Sequence, residues 1–203
     1  MTRREFVSAA AAVSSSPALL VIPVHQVIDA RAKHTPEQLH RFSSGIWTEA
    51  VRDFRRCGIQ FQGTQGPGEI RRSPGGRPVF NGLRDGMINL ILTGHLPMAW
   101  DKGRALPGLS TRHEGRPICI IALRYAHGHQ IPFVSVNTCV HELLHVLLGD
   151  IFESRPKGLP GFGRELRIDW YATRLWLFRD GAAIREAARA YLDRLRTELA
   201  ART

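Results

Sequence analysis

Two histidines four residues apart, with a glutamate directly after the first, are the place in these 203 residues where residue type and spacing together point to a reaction. The segment His141-Glu142-Leu143-Leu144-His145 reads H-E-x-x-H. On a helix, residues i and i+4 share a face, so His141 and His145 can aim two imidazoles at one Zn²⁺. Glu142 follows the first ligand, which brings its carboxylate beside the metal, where it can take a proton from an activated water. Leu143, Leu144, Val146, Leu147 and Leu148 make this helix apolar nearly all round, as a core helix would be. Burying two imidazoles and a carboxylate there without partners is costly, and a metal satisfies all three. A shuffle of a chain with nine His and ten Glu shows the motif in roughly 2% of trials, so a third ligand is needed to strengthen the reading.

Glu165 is the expected third ligand. It lies 20 residues after His145, near the start of a second helix expected from Arg164 to Phe178, with Asp169 one turn later on the same face. A carboxylate from this helix completes a His₂Glu site and leaves one position for water. Asp169 can then accept a hydrogen bond from the far nitrogen of a ligand histidine and hold its tautomer. Asp150 and Glu153 are rivals by chemistry, but Asp150 stands at the expected helix exit, and using it requires the chain to double back.

H-E-x-x-H followed by E-x-x-x-D resembles the gluzincins, the thermolysin-like branch of zinc peptidases, and Glu165-x-x-x-Asp169-x-Tyr171-Ala172 is similar to the second helix of small bacterial zincins. The resemblance covers residues 134–178. It implies His141, His145 and Glu165 as zinc ligands, Glu142 as general base, Asp169 behind a ligand, and a peptide or protein substrate. It also implies an α+β fold of minimal zincin type, with a small twisted mixed sheet backed by the motif helix and a helical C-terminal part. The chain departs from the branch at Arg164, where Asn is usual, and at Ile168, where Ser commonly precedes the Asp. The metzincin pattern is not met, since Leu148 and Ile151 stand where Gly and His or Asp are required. From the same resemblance, the strand Ile118–Tyr125 is expected to offer an edge for an extended peptide. His127, His129 and Tyr171 are secondary candidates for stabilising an oxyanion. Two rival functions use the same residues or the same fold: a zinc amidase acting on cell-wall peptides, and a non-catalytic protein binding anionic envelope surfaces.

The elements that must position the motif follow from periodicity. With 43% apolar residues the chain is long enough for one domain with its own core. Its formal charge is +10, carried by 25 Arg against 3 Lys. The arginines are scattered and form no block interleaved with aromatics, which argues against a nucleic-acid site and leaves anionic envelope as the possible charged partner.

Residues 1–32 read as an export signal: Thr2-Arg3-Arg4-Glu5-Phe6 resembles a twin-arginine motif, the run from Ala9 to Val24 is mildly apolar, and Ala30-Arg31-Ala32 supplies small residues for cleavage. The domain is then expected over 33–203, in an exported protein. Thr35 and Pro36 open a helix running to about Arg56, ended by Cys57-Gly58. Ile59–Gln62, Met87–Thr93 and Ile118–Tyr125 read as strands. The Gly- and Pro-rich stretches 63–82 and 95–116 read as irregular. Asn137 or Thr138 is expected to cap the motif helix and Gly149 to close it. A last helix from Ala182 to about Ala200 places Ile184, Ala188, Tyr191, Leu192, Leu195 and Leu199 on one face. Of Cys57, Cys119 and Cys139, at most one pair can form a disulfide, and Cys57 with Cys119 would tie the first helix to a strand.

Overall fold

The computed structural model describes residues 18–94, 108–123, 136–153 and 181–201. Ten-residue β1 (Leu20–Asp29) pairs in parallel with β2 (Ile59–Arg72) on one side and with β4 (Ile88–Thr93) on the other. β2 turns back into antiparallel β3 (Pro78–Asn81), β6 (Arg116–Ala122) lies parallel to β4, and β5 (Gly108–His113) closes the far edge antiparallel to β6. The six-stranded mixed sheet thus runs β3-β2-β1-β4-β6-β5. The expected α+β class, with a mixed sheet backed by the motif helix and a C-terminal helix, is met.

β4 and β6 are buried on both faces, which is why their sequences read as unbroken apolar runs. One face packs Ile22, Val24, Leu90, Leu92, Cys119 and Ile121 against the helices. The other packs Val27, Ile91, Ile118 and Ile120 against Phe80 of the β2–β3 hairpin, which curls over it.

The helical layer starts at α1 (Pro36–His40), capped reciprocally: Gln38 N–H donates to Thr35 Oγ1 at 3.3 Å and Thr35 N–H to Gln38 Oε1 at 2.9 Å. A π-helical stretch (Arg41–Trp47) leads without a break into α2 (Thr48–Arg56). Phe42, Ile46, Ala50 and Phe54 recur every four residues, a spacing that drifts off one face of a 3.6-residue helix, and the wider π turn absorbs part of that drift. The motif helix α3 (Val136–Glu153) lies over β5 and β6, flanked by α2 and by α4 (Gly181–Ala200). Among the described residues no helix is long and apolar enough to cross a membrane.

Several expectations are corrected. The folded domain does not begin at Lys33: Leu20–Asp29 is an interior strand with Ile22 and Val24 fully buried, so a cut after Ala32 would take a strand from between β2 and β4. The last five residues of the apolar run read as an export signal, Leu20–Val24, are core strand, and a short apolar run has the same composition in either role.

Within the stretch read as irregular from Gly63 to Gly82, β2 continues to Arg72 and returns as β3. Its glycines stand in register with β1, Gly63 opposite Val24 and Gly66 opposite Val27, and a Cβ at Gly68 would collide with the Val27 side chain. Gly66 and Gly68 are there for close approach rather than for turning.

β5 emerges from the expected loop 95–116, joined to β6 by the two-residue turn Glu114-Gly115, both at positive φ. Among the described residues β6 is therefore interior and β5 is the edge. α3 begins at Val136 and runs through Gly149 without ending there, since tertiary packing carries a helix past one unfavourable glycine. Leu199 is 41% exposed rather than buried with its helical neighbours. Of the two readings open for the cysteines, a disulfide or buried thiols, the structure has buried thiols, with no disulfide joining Cys57 to Cys119.

Candidate metal centre

Most of α3 is sunk in the core. Cys139, Val140, Leu143, Leu144, Leu147 and Leu148 are buried, while His141 and His145, with Thr138 and Val146, reach partial exposure. The helical period produces this pattern: the two histidines are one turn apart on the same face. Their Nε2 atoms stand 2.8 Å apart with the rings edge to face, centroids 4.6 Å apart.

A tetrahedral zinc with Zn–N bonds of about 2.0–2.1 Å holds two ligand nitrogens about 3.3 Å apart. The rings need to part by only about half an ångström to receive it, so the pair fits the metal by geometry and donor type. Among the described residues no third His, Cys, Asp or Glu joins them in a metal-holding group. Glu165 and Asp169, like His127, His129 and Tyr171, lie outside the described residues. The rivals Asp150 and Glu153 belong to α3 itself.

Glu142 is only 6% exposed and has a built environment. Its Oε2 and its backbone carbonyl both lie 2.7 Å from Ser110 Oγ on β5, and the carbonyl also accepts from the Cys119 thiol at 3.3 Å. A Cβ at Gly108 would stand 2.6 Å from Cγ and Oε1 of Glu142, so the backbone of the edge strand comes directly against this side chain because residue 108 has none. Gly108 and Ser110 share a face of β5 by the two-residue period of a strand. They are the site neighbours that sequence reasoning missed. The signal available was weak, because Ser110 stands in a stretch without apolar alternation and the Glu-Gly turn that reverses the chain is less distinctive than Asn-Gly.

Burial, and secondarily the Glu142 carboxylate, pushes the thiol of Cys139 up to about 12 and that of Cys119 well above the usual thiol range.

No known family, characterised protein or solved structure matches the chain. Two imidazole nitrogens converge at the mouth of a buried helix, and a carboxylate is held one residue away between that helix and a sheet edge. This combination offers two nitrogens able to ligate a metal and a carboxylate able to accept a proton, and that carboxylate is held by contacts that a surface glutamate would not need.

Proposed function

We propose that the chain is an exported zinc-dependent peptidase, with His141, His145 and Glu165 as ligands, Glu142 as general base and Asp169 supporting a ligand histidine. The observation that carries this reading is the convergence of the His141 and His145 Nε2 atoms, 2.8 Å apart, beside a Glu142 seated on the sheet edge. When bound, zinc supplies Lewis acidity, polarising a carbonyl and making water acidic near neutral pH. The chain's own residues do the rest. Glu142 accepts the proton of the attacking water and passes it to the leaving amine. β5, an edge strand among the described residues, offers backbone N–H and C=O groups along which an extended peptide can pair beside Glu142.

Metal content and X-ray absorption measurements of coordination on the purified protein test the centre before any substrate is known. About one zinc per chain is expected, as for a mononuclear site. Loss of zinc in Glu165→Ala supports the third ligand, whereas full occupancy in that variant with loss in Asp150→Ala refutes it. Glu142→Gln should keep the metal and lose hydrolysis of a peptide library by about 10²–10⁴-fold. Unchanged turnover there refutes the base. The processed N-terminus of secreted protein tests the export.

A further inference from the structure

We propose that Ser110 is the positioning residue for the base of this site, its hydroxyl holding the Glu142 carboxylate over the edge strand. The proposal deepens the peptidase reading and rests on it.

Ser110 Oγ stands 2.7 Å from two acceptors, the Oε2 and the backbone carbonyl of Glu142, and has a single hydrogen to give. The carbonyl has other donors: the Cys119 thiol at 3.3 Å, and the helix's own N–H one turn on. The carboxylate is the stronger acceptor when charged, so the hydroxyl's hydrogen goes to Oε2. On the opposite side, the backbone at Gly108 leaves no room for a Cβ against Cγ and Oε1. Glu142 is thus gripped by two residues of one strand, 34 and 32 positions upstream, with Gly108 limiting where the carboxylate can lie and Ser110 setting its direction. A glutamate has three side-chain torsions, and holding them before the reaction removes that ordering from the barrier. Because the grip comes from β5, whatever pairs with that edge meets the base in one register. Arg112, on the same strand face, anchors β5 to α4 through both carboxylate oxygens of Glu198 at 3.0 Å, which steadies the strand that does the gripping.

The test compares Ser110→Ala and Ser110→Thr with wild type, using an internally quenched peptide library, zinc analysis, and denaturant unfolding of the metal-stripped protein. Ser110→Ala should bind as much zinc as wild type and keep its KM within about twofold, while kcat falls about 10- to 100-fold, the size expected for a misplaced catalytic group. Ser110→Thr, which keeps the hydroxyl on a strand-compatible side chain, should recover most of that loss. In the metal-stripped protein, the shifts in unfolding midpoint caused by Ser110→Ala and Glu142→Ala should be non-additive, as for residues in contact. An active, zinc-loaded wild type whose kcat is unchanged in Ser110→Ala, or additive midpoint shifts, overturns the role of Ser110 alone. A wild type that holds no zinc and cleaves nothing overturns the peptidase reading and this role with it.

Discussion

The hydroxyl of Thr93, at the end of β4, donates to the carboxylate of Asp29, at the end of β1, across 2.8 Å, and both side chains are buried. The other oxygen of Asp29 accepts from the backbone N–H groups of Arg31, at 3.2 Å, and of Ile70 in β2, at 3.3 Å. One side chain therefore ties together the ends of three neighbouring strands and caps the 3-10 turn (Ala30–Ala32) that follows. Asp29→Ala should destabilise the fold by about 1–3 kcal/mol, the cost of leaving buried donors unsatisfied, read as a lower denaturant midpoint. A chain starting at Lys33, which lacks β1 altogether, should show no cooperative unfolding transition. A processed N-terminus at Lys33 in a folded, secreted protein would refute the assignment of β1 to the sheet interior.

Zinc should stabilise the native protein by mass action, because the histidine pair is assembled only in the folded helix. At a free zinc concentration 100 times Kd the gain is about 2.7 kcal/mol. Thermal scans with zinc and with chelator should differ by several degrees in wild type and coincide in His145→Ala. Equal shifts in both proteins would place the binding elsewhere.

Gly108→Ala should be costly at an otherwise tolerant edge strand. The added methyl lands 2.6 Å from Glu142, and relieving that overlap requires β5 or the carboxylate to move. A loss of about 1–3 kcal/mol is expected from overpacking, with reduced hydrolysis beyond what the stability loss explains. Denaturant titration beside peptide turnover separates the two effects.

Stability should also depend on pH through His25. This buried histidine on β1 lies 2.8 Å from Thr64 Oγ1, and burial, followed by the nearby Arg84 charge, holds it below the usual imidazole value. The unfolded chain therefore binds a proton more readily than the folded one. The stabilising contribution is complete above about pH 6.5 and is lost as pH falls from there through the folded-state value. Unfolding midpoints at pH 7.5 and 5.5 should differ less in His25→Gln than in wild type.

The three thiols should react with an aromatic disulfide reagent only after unfolding. All are free and buried, and burial, then the Asp53 charge, raises Cys57 to about 11. Denatured, unreduced protein should titrate three thiols per chain, and a count of one would reveal a disulfide.

The local parts of this molecule were legible in its amino acids. The pairing of His141 with His145 follows from the helical period, the capping box at Thr35 from residue types within one turn, and β4 and β6 from apolar runs that interior parallel strands require. Each of these needs information from only a few neighbouring residues. Misreadings arose where one composition serves two structures. The apolar run ending at Val24 matches an export signal as well as a core strand, and the glycines of β2 match a loop as well as a strand with a close neighbour.

Tertiary structure alone decided which described strand is the edge and what holds the Glu142 carboxylate. β5 and β6 are consecutive, but nothing in their sequences says that the later strand inserts between β4 and β5. That order follows from pairing Asn89 with Ile118 and Ser110 with Cys119 across the sheet. Ser110 and Gly108 meet Glu142 only because that edge lies under α3, with more than 30 residues of chain between them. The motif's chemistry is specified by spacing along one helix, whereas the direction of its carboxylate is specified by a strand that no local pattern connects to it.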